Sequence, residues 1–388
     1  MKILKLSFFL MFLSYFAFYL ELDFNRIMFK AVSMIILFFS FLYVYRNKLN
    51  KPSKSQVLFF LMFNALGLIT SLYSENTYSS LTSLMTFNLF FIIFIFAKKE
   101  LHNATSFITF NNIVIISSLI VTSFAFIGNI PLLIEQSNSY FYGRVRIYGM
   151  FEHPNYLGAI SFVTIMAAIL NMIINHKVSK RYVLTILIYS TFLFISDSRG
   201  AMYSLAVFVV CYVAFKYFNF LKSPYIKLAF ILLFIPSLIH FSNLFINNLN
   251  NDYLHDFTSG RTTNWEYIYD TFITNDLQTY LFGHGLSSVD ILVNKKINTD
   301  NGFIVWFFEA GLFNLLLILL LILVFFIRNI RGLKINLLTV SLMISYLIYA
   351  NVENFLMNLG HIVPFYCWII IYSQTGVFKQ TRSEYEKT

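Results

Sequence analysis

Long apolar runs separated by short polar connectors repeat along the whole chain. They fall at about 3–20, 28–45, 56–73, 79–97, 107–128, 156–174, 182–197, 201–218, 225–246, 302–327, 335–350 and 355–373. A bilayer is crossed by roughly 20 apolar residues in a helix, and a lipid-facing helix satisfies its own backbone. The pattern predicts an all-α polytopic membrane protein of about 12 transmembrane helices, with residues 1–388 forming one integral-membrane domain. The first run, Ile3–Leu20, follows Lys2 and Lys5 as a signal peptide would. It is long for a signal core and lacks a small-x-small site before Glu21–Arg26, so a retained span is expected.

The connectors sort by charge. One alternate set carries 20 of the 28 basic residues, among them Arg46, Lys48, Lys98, Lys99, Lys177, Arg181, Arg328 and Arg331. The other carries eight: Arg26, Lys30, Arg144, Arg146, Arg199, Arg261, Lys295 and Lys296. Positive charge marks the cytoplasmic side, which places both termini inside and the second set outside.

Two outer segments are too long to be connectors, Asn129–Asn155 and Asn247–Asn301. Loops beyond about 15 residues are usually functional or disordered. In the larger one, Trp265, Ile268, Tyr269 and Phe272 share one helical face. They predict a short amphipathic helix, capped by Ser259 or Thr262, that either lies on the membrane surface or packs within a loop domain.

Composition narrows the class. The chain is 58% hydrophobic and 12% charged, with a mean hydropathy of +0.69, which excludes an ordinary soluble domain. Its net charge of +10 sits in short clusters beside spans, as for loops on anionic lipid, and no nucleic-acid partner is expected. Cys211 and Cys367 lie in apolar runs and read as small buried hydrophobes.

Ionisable residues beside spans are the candidates for chemistry. Ser196-Asp197-Ser198-Arg199-Gly200 joins two spans with almost no loop, which puts Arg199 at the outer mouth of the bundle, Gly200 permitting the turn. Arg199 there either pairs with Asp197, reaches headgroups or holds an anion. Arg261 opens the amphipathic helix, where a guanidinium and free N–H groups would face one anion. Arg144 and Arg146 precede Gly149–Asn155, which contains His153 and Asn155, and Pro154 suits a helix start. Guanidinium groups bind phosphate oxygens in pairs and stay charged. At the membrane surface the matching ligand is a polyprenyl pyrophosphate.

Asp300 and Asn301 precede a span that contains Glu309. Asp300 suits either a general base toward a sugar hydroxyl or a helix cap. Nine residues at roughly 100° each put Glu309 on the opposite face from Asp300. Glu353 lies at an outer helix end, His284 in the large loop, and His361 and Pro364 mark a kink in the last span. His153, His240, His255, His284 and His361 show no paired metal-ligand spacing. No metal or cofactor is expected, and no Walker A or Gly-x-Ser-x-Gly sequence occurs.

Four phrases carry a resemblance: GMFEHPNYLGAISF (149–162), SDSRGAMYSLAVF (196–208), SGRTTNWEYIYDTF (259–272) with LFGHGLSS (281–288), and DNGFIVWFFEAGL (300–312). Their order resembles the O-antigen ligase/polymerase superfamily of bacterial surface-polysaccharide enzymes, over roughly 149–330. The resemblance implies metal-independent glycosyl transfer at the outer face of the cytoplasmic membrane. An undecaprenyl pyrophosphate-linked glycan is the donor and a sugar hydroxyl the acceptor. Arg199 and Arg261 match the family's pyrophosphate-binding arginines. Arg144, Arg146, His153, Asn155, His284, Asn301, Glu309 and Glu353 are substrate-binding candidates, and a chain-length regulator and a flippase are possible partners. Ligases resemble one another in a histidine before the Asn that opens the tenth span; here that place is Asp300. This departure favours a repeat-unit polymerase over a ligase. A flippase would spread its cations over both halves of the chain, whereas here they cluster between spans five and ten.

Overall fold

The structure, a computed structural model, describes residues 2–21, 26–45, 54–101, 103–139, 145–217, 261–273, 276–294, 297, 300–331 and 337–373. Every regular element among them is a helix. In chain order these are α1 (Lys2–Ala17), α2 (Arg26–Tyr45), α3 (Lys54–Leu72), α4 (Thr77–Glu100), α5 (Ala104–Ile127), α6 (Ile130–Asn138), α7 (Pro154–Asn175), α8 (Lys180–Ile195) and α9 (Arg199–Tyr217). After the large loop begins come α10 (Arg261–Ile268), continued by a π-helical turn Tyr269–Ile273, then α11 (Leu277–Phe282), α12 (Val289–Asn294), α13 (Gly302–Arg331), α14 (Leu337–Val352) and α15 (Ile362–Ser373). Eleven of the twelve expected spans carry a described helix, and the ninth, 225–246, lies outside the described residues. Among the described residues, six helices are long and apolar enough to cross a membrane, and three shorter apolar ones accompany them. The chain is an all-α polytopic membrane protein.

The chain divides into two compact units, interleaved in sequence. The first comprises residues 1–50, 89–208 and 359–388. Here α1 and α2 form an antiparallel pair zipped by hydroxyls, Ser7 to Ser40 at 2.6 Å and Ser14 to Ser33 at 2.5 Å. Each pair steps seven residues in opposite directions, so the register is fixed by polar bonds between apolar surfaces, as membrane helices require. Aromatic rings fill the centre: Tyr15 stacks on Phe365 at 4.8 Å, and Phe12 meets Phe110 edge-on at 5.2 Å. Asn111 on α5, Asn171 on α7 and Tyr366 on α15 are all fully buried. Asn111 donates to Asn171 at 3.0 Å and accepts from Tyr366 Oη at 3.0 Å, so each buried amide is satisfied.

The second unit comprises residues 51–88 and 209–358. Asn64 and Asn88 exchange amide bonds of 3.0 and 2.7 Å between α3 and α4. Ile268 of α10 is fully buried with Leu292 and Phe308, while Tyr269 is exposed. The loop helix thus packs by Ile268 against α12 and the span α13, and the expected shared apolar face does not extend to Tyr269. Ser259 lies outside the described residues, as does the Thr262 side chain.

Two boundaries differ from the hydropathy pattern. The apolar run 302–327 conceals a break: Gly311 has φ 74° and ψ 178°. The last span begins at Ile362 rather than 355, because residues 353–361 are held by other partners. Tyr346 Oη donates to the carbonyls of Phe355 and Leu356. Pro364 therefore sits in the first turn of α15 and makes no kink; a first-turn proline loses no helical bond.

Candidate active site

In the first unit the site phrases are held by backbone pairing. Glu21 N–H donates to Met150 O at 2.9 Å and Glu152 N–H to Tyr19 O at 3.0 Å, so the tail of α1 flanks residues 150–152. Ile147 N–H donates to Ile195 O at 2.9 Å, laying residues 145–148 along the end of α8. Arg146 thereby reaches the α8–α9 turn. Its Nη2 donates to Asp197 O at 3.2 Å and lies 3.8 Å from Asp197 Oδ2.

The turn itself is not made by Gly200, which lies inside α9. Asp197 takes the left-handed conformation instead, at φ 46°. Aspartate tolerates that region better than most residues, and a strained backbone of this kind clusters at functional sites. Gly158 makes room for the turn: a Cβ there would come within 2.2 Å of Ser198 Oγ. Arg199 is the first residue of α9 and half-buried. Arg261 is likewise the first residue of α10, though its side chain lies outside the described residues, as does all of Arg144. A cation at a helix start opposes the helix dipole. It becomes favourable when an anion shares the place, bound by guanidinium and free N–H groups together.

His153 caps α7, its Nδ1 accepting from Asn155 N–H at 3.1 Å. In the neutral ring that bond places the proton on Nε2. Pro154 occupies the first turn of α7 as expected. Burial, then the carboxylates of Glu21 and Glu135, push the Tyr148 hydroxyl above its ordinary value, so it stays a donor.

A further cluster in this unit is absent from the motif reading. Tyr19 stacks on Tyr156 at 4.5 Å and on His361 at 5.6 Å, and its hydroxyl lies 3.1 Å from His361 Nδ1. Lys30 Nζ sits 3.8 Å from the Phe18 ring centre and donates to Gly360 O at 2.9 Å. The available signal was a lysine one turn inside an apolar run, facing an aromatic-rich helix end in Tyr15, Phe18 and Tyr19.

In the second unit the decisive cap is Asn301. Its Oδ1 accepts from Phe303 N–H at 2.9 Å and Ile304 N–H at 3.1 Å, and its Nδ2 donates to Asn351 at 3.2 Å. The capping task therefore falls to Asn301 rather than to Asp300, which is half-buried just before it. Gly302 N–H donates to Glu353 O at 3.1 Å, and a Cβ at Gly302 would meet Leu356 N at 2.6 Å. Glu353 itself is buried.

Two family-like phrases meet at the helix break. His284 N–H donates to Phe308 O and Gly285 N–H to Glu309 O, both at 2.9 Å. These are carbonyls that the break at Gly311 leaves without helical partners. Thr70 Oγ1 donates to Phe282 O at 2.7 Å, and Leu286 N–H donates to Ser80 Oγ at 2.9 Å, anchoring the loop to α3 and α4. Glu309 Oε1 accepts from Val289 N–H at 3.2 Å at the start of α12. His284 stacks on Phe308 at 4.5 Å.

Residues 184–319 match the family model for O-antigen ligase. The ligase-type segment runs from α8 to the first half of α13 and includes Arg199, Arg261, His284, Asp300, Asn301 and Glu309. The superfamily resemblance read from the sequence is thus found over this segment. Arg144, Arg146, His153, Asn155 and Glu353 lie beyond it. No curated protein matches the chain.

Proposed function

We propose that the protein polymerises oligosaccharide repeat units carried on undecaprenyl pyrophosphate, at the outer face of a bacterial cytoplasmic membrane. The observation that carries the reading is the match of 184–319 to the O-antigen ligase family, with Arg199 and Arg261 each opening a helix inside it. The acceptor hydroxyl oxygen attacks the donor's anomeric carbon. The bond from that carbon to the pyrophosphate oxygen breaks, and pyrophosphate on its lipid departs with the electron pair. The hydroxyl proton passes to the Asp300 carboxylate. Arg199 and Arg261 stabilise the charge growing on the leaving group, and because it grows in the transition state this lowers the barrier. Arg144, Arg146, His153, Asn155, His284, Asn301, Glu309 and Glu353 are assigned to substrate binding and its support. The mechanism uses no metal or cofactor. Cytoplasmic termini and an outward active site follow from the distribution of basic residues.

A ligase, transferring finished glycan to a terminal acceptor, is the second reading, favoured by the description of the matched family. A flippase is the third. Purified protein given only undecaprenyl pyrophosphate-linked repeat units discriminates among them. A ladder of lengthened products is expected. Reaction only after a separate acceptor is added would replace polymerase by ligase, and lipid scrambling without new glycosidic bonds would replace both. In the same assay Asp300→Asn should lower turnover by about 100- to 10,000-fold, the usual worth of a general base. Because Asn301 holds the cap, the variant should remain folded; unchanged turnover would remove Asp300 from the mechanism.

A further inference from the structure

The segment 129–155 reads as a loop in sequence, yet it begins with a nine-residue helix. Asn129 Oδ1 accepts from Leu132 N–H at 3.1 Å and Pro131 lies in the first turn, both helix-start signals. The helix has two unlike edges. Ile130 and Ile134 are 57% and 59% exposed, and Pro131 beside them is exposed too. Gln136, two residues and roughly 200° from Ile134, is buried.

The exposed edge follows an exposed apolar stripe on a helix able to span a membrane. On α5, a helix long and apolar enough to cross a membrane, Ile116, Ile120, Phe124 and Ile127 form an exposed stripe at helical spacing. Only Gly128 and Asn129 separate its last member from Ile130. The bend is tight, since a Cβ on Gly128 would lie 2.7 Å from Phe124 O. α6 therefore starts three residues after the last exposed member of the α5 stripe.

The buried edge does something different. Gln136 Oε1 accepts from Tyr148 N–H at 2.9 Å and Gly149 N–H at 3.0 Å, and its Nε2 donates to Gly149 O at 2.9 Å. Gly149 has φ 63°, and a Cβ there would lie 2.7 Å from Ala125 O. One side chain thus replaces a short strand pairing and fixes the residues that lead from Arg146 to His153.

We infer that α6 lies flat in the outer-leaflet interface, with Ile130, Pro131 and Ile134 in lipid, and that Gln136 ties this lipid contact to the Tyr148–Gly149 turn. The partner is the lipid surface itself. The seat would hold the 145–155 segment at the depth of a lipid-linked headgroup. The outer placement rests on the proposed orientation, whereas the seat and the tie do not.

The test uses single nitroxide labels at Ile130→Cys, Ile134→Cys and Asn138→Cys in full-length protein in phosphatidylcholine–phosphatidylglycerol vesicles. The native Cys211 and Cys367 are buried, and the parent protein carried through the same labelling controls for them. Labels at 130 and 134 should collide with oxygen and be shielded from an aqueous nickel chelate, at about 5–10 Å below the headgroups. The label at 138 should show the reverse. Nickel access at 130 and 134 equal to that at 138, or shielding from both reagents as under a second protein surface, would overturn the lipid seat. A label at Val145→Cys, an exposed site, should gain mobility when Gln136→Ala is added; an unchanged spectrum would overturn the tie. On intact cells, Asn138→Cys should be blocked by an impermeant maleimide. Protection there would overturn the outer placement while leaving the seat standing. A failed ladder assay with these spectra intact would count against the polymerase reading alone.

Discussion

Arg199→Ala and Arg261→Ala are each expected to lower polymer formation by about 100- to 1,000-fold, the usual cost of removing one preorganised donor to a developing oxyanion. Each arginine is the first described residue of a helix within the matched segment, and a guanidinium beside a helix start suits a phosphate oxygen. The alanine variants should insert and stay folded, with the same elution in detergent as the parent. Arg199→Lys should recover only part of the activity, because an ammonium keeps the charge but loses the planar two-point grip on phosphate. The measurement is product length on a gel at fixed donor concentration. Parent-like ladders from both alanine variants would sink the pyrophosphate assignment.

The largest stability effect is expected at the break in α13. Gly283 and Gly311 have φ of 80° and 74°, with ψ near 180° at both, a region open essentially to glycine alone. They also face each other's backbone. A Cβ on Gly283 would lie 2.4 Å from Glu309 O, and one on Gly311 would lie 2.4 Å from Leu281 O. Gly283→Ala and Gly311→Ala should each cost at least about 1–3 kcal/mol from backbone strain, with the clash adding to it. Thermal unfolding in detergent, followed by tryptophan fluorescence, would register this as a lower midpoint. Gly67→Ala is the control: its neighbour at 2.6 Å is a Leu84 methyl that can move, and alanine favours the helix by about 1 kcal/mol. Equal midpoints for Gly67→Ala and Gly311→Ala would mean the break is not held by glycine geometry.

The apolar runs told most of the fold, because a span's signal is its length and local composition. What they hid shares one cause. The break at Gly311 lies inside an unbroken apolar run, and its meaning comes from Gly283 and His284, residues distant in sequence. The α8–α9 turn looks as if Gly200 makes it, whereas packing of Ser198 against Gly158 moves the left-handed residue to Asp197. The helix α6 is too short for a periodicity to emerge, although Asn129 and Pro131 announce its start. At the site, Asp300 reads as a cap by residue type, and only the hydrogen bonds from Phe303 and Ile304 give that task to Asn301. Of the tyrosine–histidine cluster only the Lys30 side is legible; its pairing with His361 is not, since Tyr19 and His361 stand at opposite ends of the chain.

That last contact bears on how the protein is made. Tyr19 Oη accepts from Ile362 N–H at 2.9 Å, across 343 residues of sequence. At bacterial-type synthesis rates of about 5–20 residues per second, the partner emerges on the order of 20 to 70 s after the tyrosine. Through that interval the first helix is in the membrane with its hydroxyl, and the carbonyl bond that Tyr15 will make to Leu359, still waiting. The first unit therefore closes late: both tyrosine bonds form only after the segment leading into α15 has been made.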